Sequence, residues 1–169
     1  GITNASELQA MGLHLDANAV LMNDIVLPNP SFVFYPNLGA LGDVMKAIDD
    51  LKLQDLMDFD PLNSNFIPIG NESNPFTGSF YGNNFSIINL KVKLYQTKSD
   101  IGLFGYVSNS STAEIKNVQL KNVEITGNAM VGALVGYLHT TKGVSNCSID
   151  EGTITGNGNQ TGGLIGYMY

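Results

Sequence analysis

The chain has 169 residues, enough for one domain with a substantial core, and only 14% of them are charged. Eight lysines, no arginine and fifteen acids give a formal charge of −7, which leaves no basic face for a nucleic-acid backbone or an anionic membrane surface. No apolar run approaches the roughly 18 residues of a membrane-spanning helix, and a single cysteine, Cys147, cannot build a disulfide framework.

The chain opens on a bare Gly1 with no basic-then-apolar leader in the sequence, a start that reads as a processed or engineered end. Asn4 or Ser6 can cap a helix, Glu7 lies three residues after Asn4, and Leu8, Met11 and Leu15 follow at helical spacing. A short amphipathic helix is expected here, laid as a lid over the first strands. Ala19 to Leu27 reads as one strand, with Val20 and Met22 on one face and Leu21 and Asn23 on the other, stopped by Pro28 and Pro30. Ser31 to Tyr35 is a second candidate strand. Leu41, Val44, Met45, Ile48 and Leu51 then fall at helical intervals and predict an amphipathic helix over Leu41 to Asp50, continuing towards Met57. Asp49, Asp50, Asp55, Asp58 and Asp60 make this stretch acidic, which reads as a solvated face rather than a calcium site, since no EF-hand or Gly-Gly-x-Gly-x-Asp pattern is present.

Beyond Phe66 the chain turns to short runs of β-branched and apolar residues, bounded by Asn, Gly and Thr. One phrase is written three times. Gly102-Leu103-Phe104-Gly105-Tyr106 returns as Ala133-Leu134-Val135-Gly136-Tyr137 and as Gly163-Leu164-Ile165-Gly166-Tyr167, with the Gly-Tyr pair recurring after 31 and then 30 residues. A second phrase, Ile87-Ile88-Asn89-Leu90, is echoed by Ile115-Lys116-Asn117-Val118 and Val144-Ser145-Asn146-Cys147. Two phrases in fixed order at a period near thirty predict an all-β solenoid, in which each strand pairs with its equivalent one turn on. On this reading Asn89, Asn117 and Asn146 form a single inward amide ladder. Gly105, Gly136 and Gly166 mark a bend that needs either positive φ or close backbone approach. Cys147 takes the buried apolar slot of Leu90 and Val118. The chain stops directly after the third Gly-Tyr, which reads as part of a longer array or as an open edge available for self-association.

The Gly-Leu-Phe-Gly-Tyr and Gly-Leu-Ile-Gly-Tyr phrases resemble the GLUG repeat of bacterial surface proteins. Phe66-Ile67-Pro68-Ile69-Gly70 with Phe76-Thr77-Gly78-Ser79-Phe80-Tyr81-Gly82-Asn83 is similar to the segment that precedes such repeats, and Leu8 to Met11 with Val20 to Ile25 to its usual opening. Residues 28–65 depart from that pattern as an insertion between a cap and first strand (1–27) and the repeats (66–169). The resemblance implies a right-handed parallel β-helix. It also implies a module of a cell-surface or secreted protein, either an adhesin or stalk, or the non-catalytic region of an IgA-specific metallopeptidase.

Chemistry for catalysis is sparse. His14 and His139 are far apart, no H-E-x-x-H is written, and His139 reads as a solvated loop residue. Asp100, Glu114, Glu124, Asp150 and Glu151 do not recur in phase, as the groove of a polysaccharide-cleaving enzyme would require. No enzyme activity, cofactor or metal is expected. Tyr106, Tyr137 and Tyr167 are the candidate ligand-binding residues, an aromatic strip for a host glycan or an extracellular protein, against the alternative that they pack over the adjacent bend.

Overall fold

The computed structural model describes residues 1–30, 60, 63–94, 99–108 and 112–169. The candidate strand at 31–35 and the candidate helix at 41–57 lie outside the described residues. The N-terminal helix is α1 (Ala5–Ala10), followed by one 3-10 turn, Met11–Leu13. Asn4 caps it: its Oδ1 accepts from the Glu7 N–H at 2.9 Å, and the Glu7 carboxylate reaches back to the Thr3 N–H at 2.6 Å. One of the helix's unpaired donors, the Glu7 N–H, is thereby satisfied, together with the N–H of Thr3 just before the cap.

The rest is strand and bend. β1 (Asn18–Val20), β2 (Ile25–Val26), β3 (Ser79–Tyr81), β4 (Ser86–Ile88), β5 (Lys91–Lys93) and β6 (Phe104–Val107) are followed by β7 (Glu114–Lys116), β8 (Gln119–Gly127) and β9 (Val135–Leu138). β10 (Val144–Ser145), β11 (Ser148–Gly156) and β12 (Ile165–Met168) complete the series. Among the described residues they form three sheets: β1-β3-β7-β10, then β2-β4-β8-β11 with β5 also on β8, and β6-β9-β12. Every pairing is parallel. The chain visits the sheets in a fixed cyclic order, and one such pass is a circuit. Parallel strands ordinarily need long crossovers; here two other strands serve as the crossover.

The core runs down the inside of these sheets in columns set by register. Phe80 and Ile115, Ile25, Ile87 and Leu120, Val92 and Ile125, and Phe104 and Val135 are partners in neighbouring circuits, and all are 0–1% exposed. Each such side chain contributes on the order of 2 kcal/mol by leaving water. Phe104 is also packed at 4.8 Å by Phe76 and at 5.3 Å, edge to face, by Phe80.

Two stretches differ from the sequence expectation. Residues 19–27 are not one strand: β1 and β2 belong to different sheets, because Met22 to Asp24 form a bend. The Asn23 amide holds that bend by donating to the Thr3 and Asp24 carbonyls, and the Asp24 carboxylate accepts from the Ser86 N–H at 2.7 Å. Further along, residues 118–127 include the continuous nine-residue β8, with Asn122 kinked inside it at φ 51° instead of bounding a shorter run.

The upper edge is closed by side-chain amides acting as strand partners. Gln9 accepts from the Ile67 N–H and donates to its carbonyl. Asn65, 0% exposed, accepts from the Lys91 N–H at 2.8 Å and donates to the Pro28 and Asn89 carbonyls at 2.7 Å.

Candidate functional site

Tyr106, Tyr137 and Tyr167 are register partners on β6, β9 and β12, and they form one column. Side chains alternate along a strand, so each tyrosine shares a face with the core residue two positions earlier, Phe104, Val135 or Ile165. That face starts inside and emerges half-buried at the tyrosines. The opposite face carries Gly105, Gly136 and Gly166, whose requirement is close approach rather than positive φ. A Cβ on Gly136 would stand 2.3–2.6 Å from the Asp100 and Ile101 backbone, and one on Gly166 2.4–2.5 Å from that of Met130 and Val131. Glycine lets the bridged segments Ile101, Val131 and Thr161 lie directly against the third sheet.

The Tyr106 and Tyr137 rings stack at 4.3 Å with 15° between their planes, and Tyr137 and Tyr167 at 5.3 Å with 27°. Both faces of Tyr137 are therefore occupied by protein, and what the column offers outward is ring edges and hydroxyls. His139 extends it. Instead of lying free in a loop, it follows β9 directly, half-buried, with its N–H bonded to the Val107 carbonyl at 3.0 Å. Its ring meets Tyr169 edge-on at 4.7 Å and Tyr137 at 6.5 Å. Tyr169, 78% exposed, finishes the patch.

Burial pushes the Tyr106 hydroxyl up to about 12, helped by its hydrogen bond with Tyr137 and then by the charges of Tyr137, Asp100 and Glu72. Asp100 itself is pushed up to about 6, first by burial and then by Glu72. Its Oδ1 has no hydrogen-bond partner among the described residues. A carboxyl so placed is easier to protonate than an ordinary aspartate.

The asparagines make two columns, not one. Asn117 and Asn146 share a bend, and the Asn146 amide donates to Asn117 Oδ1 at 2.6 Å. Asn89 belongs to a different bend, where Asn122 donates to its Oδ1 at 2.6 Å. The register explains the correction: Ile88 pairs with Lys121, whereas Tyr81 pairs with Lys116, so Gly82 is the true counterpart of Asn117. Nor are the amides inward, since Asn89 and Asn117 are half-buried and Asn146 is exposed. All four take left-handed φ of 50–64°, which asparagine tolerates better than most residues. A third left-handed column, Asp100, Met130 and Gln160, has no asparagine to announce it.

Cys147 is half-buried rather than core, opposite Val118, with its thiol pushed up by burial. On the second sheet a shallow open groove of about 310 Å³ is lined by Asn122, Glu124, Thr126, Thr153 and Thr155 over Val123 and Gly152. Among the described residues no three His, Cys, Asp or Glu side chains are grouped to hold a metal ion, and no helix is long and apolar enough to cross a membrane.

No known family profile matches the chain, and no solved structure matches it significantly. Among curated proteins it is similar to Halomucin of Haloquadratum walsbyi, 36% identical over 102 residues. That match covers 60% of this chain and 1% of Halomucin, so the chain corresponds to a very small part of that protein.

Proposed function

We propose that the chain is a right-handed parallel β-helix of the GLUG-repeat type, a non-catalytic module of a cell-surface or secreted protein, serving as a stalk or as the binding surface of an adhesin. The observation that carries this reading is the pairing of equivalent strands about thirty residues apart in all three sheets. Such a repeat lengthens by about 4.8 Å per circuit without needing helices, which suits a spacer. The right hand rests on the general preference of parallel crossovers. Similarity to a short piece of a far longer protein, Halomucin, favours a module within a large chain.

For recognition, the edges and hydroxyls of Tyr137 and Tyr167, with His139 and the exposed Tyr169, offer amphipathic contacts to a glycan or an extracellular protein. The test is binding of wild type and Tyr169→Ala to arrays of glycans and extracellular proteins. Tyr169→Ala is expected to weaken a genuine contact about tenfold, the size of one aromatic anchor. Equal binding by both, or none by either, removes the aromatic patch as the recognition surface. Small-angle scattering of a chain with one duplicated circuit tests the spacer reading separately, by whether the particle lengthens.

A further inference from the structure

We propose that the tyrosine column is a site of oxidative cross-linking, in which Tyr137 couples to Tyr106 of the same chain to form a dityrosine that ties two adjacent circuits together. The inference goes beyond ligand binding and rests on how the rings are held. Parallel register puts the two tyrosines on neighbouring strands as direct partners. Their rings lie 4.3 Å apart and 15° from parallel. Equivalent side chains that leave parallel partner strands in register run the same way, which brings like ends of the two stacked rings together. Tyr137 and Tyr167, at 5.3 Å and 27°, form a second and looser pair.

The chemistry balances with a peroxidase-type one-electron oxidant and hydrogen peroxide. Each phenol gives up one electron and its hydroxyl proton, leaving a phenoxyl radical with unpaired spin on the oxygen and the ortho carbons. Two radicals join through a new bond between ortho carbons, and the hydrogen on each joined carbon returns to its own ring oxygen, restoring both aromatic rings. The net loss is two electrons and two protons, which reduce one hydrogen peroxide to two waters. Rings already in contact need no diffusional encounter, the step that limits coupling between chains. The chain contains no tryptophan to intercept the radical, and its one thiol, Cys147, is hydrogen-bonded at a different bend, with Ser145 and Val118. The product is a covalent tie in a protein whose lone cysteine cannot supply an internal disulfide.

The sequence makes the test direct, because cleavage after lysine puts Tyr106 on residues 99–116, Tyr137 on 122–142, and Tyr167 with Tyr169 on 143–169. Folded protein is treated with a peroxidase and hydrogen peroxide, and the monomer is isolated, digested and weighed. The expected result is a 99–116/122–142 conjugate, lighter than the sum of its parts by two hydrogen atoms and showing dityrosine fluorescence. It should be absent from Tyr137→Phe, which keeps the ring stack but lacks the phenol, and from wild type oxidised in urea. The urea arm uses the native sequence, so the test stands even if the variant folds poorly. Dityrosine found solely between chains, an intrachain link that bypasses Tyr137, undiminished yield in Tyr137→Phe or in urea, or no dityrosine in the folded protein would each overturn the proposal.

Discussion

Residues 113–138 and 144–169 run the same course through the three sheets with nearly the same residue types, yet they differ sharply in burial. Ile115, Val118, Leu120, Ile125, Leu134 and Val135 are 0–1% exposed. Their counterparts Val144, Cys147, Ile149, Ile154, Leu164 and Ile165 are only half-buried. Among the described residues β8 pairs on both edges, while β11 pairs with β8 alone. The hydrophobic content of a circuit is thus written in its own residues, but its realisation depends on being covered from both sides. The opposite end solves the same problem with Gln9, carried on α1, and Asn65 as substitute strand partners.

Paired substitutions in the two circuits test this contrast. Gly136→Ala forces a Cβ into the Asp100 and Ile101 backbone, and we expect a loss of about 4 kcal/mol in urea unfolding. Gly166→Ala meets an equal clash in the last circuit but should cost less than half as much, because that circuit can detach locally. Equal losses would show that the last circuit is as tightly coupled as the middle one. Next in size, Leu120→Ala should cost about 3 kcal/mol and Ile149→Ala about 1 kcal/mol, since only the first empties a fully enclosed site.

Smaller effects concern the bends. Asp100 protonates at about 6 in the folded chain against an ordinary 3.8. The folded state therefore binds the proton more tightly, and the associated stability is fully present below pH 3.8 and lost as the pH rises through 6. Asp100→Asn should flatten that part of the pH profile and raise stability at pH 7 by about 1 kcal/mol, after discounting for solvent screening. Thermal melts of both proteins across this range check it. Glu151, exposed at φ 60°, continues the column of Asn89 and Asn122. Glu151→Asn relieves the left-handed strain and offers Asn122 a further amide, for an expected gain of about 0.5 kcal/mol.

The all-β class and the Gly-Tyr phrase were legible in the sequence because the same two residues meet the same neighbours in every circuit. The asparagine phrase was legible only as bends. Each circuit turns left-handed at more than one place, and an Asn between two apolar runs looks alike at each. The flanking residues do not separate the bends: Asn89-Leu90-Lys91-Val92 and Asn122-Val123-Glu124-Ile125 carry the same apolar, polar, apolar order as Asn117-Val118-Gln119-Leu120 and Asn146-Cys147-Ser148-Ile149, and it is the strand register that tells them apart. Within the candidate site the tyrosine column followed from the repeat, but the stacking that occupies both faces of Tyr137 depends on ring torsions that no pattern of letters records. The roles of Gln9 and Asn65 were illegible for a different reason. A polar side chain is buried or exposed according to what it meets, and these two meet backbone from distant parts of the chain.

The one-sided pairing of the last circuit among the described residues also has a mechanical meaning. A load applied at Tyr169 meets the hydrogen bonds of β12 and then β11 in succession, so they open like a zipper instead of resisting as a sheared row. Each circuit freed in this way releases about 100 Å of extended polypeptide, and under tension the molecule lengthens in steps.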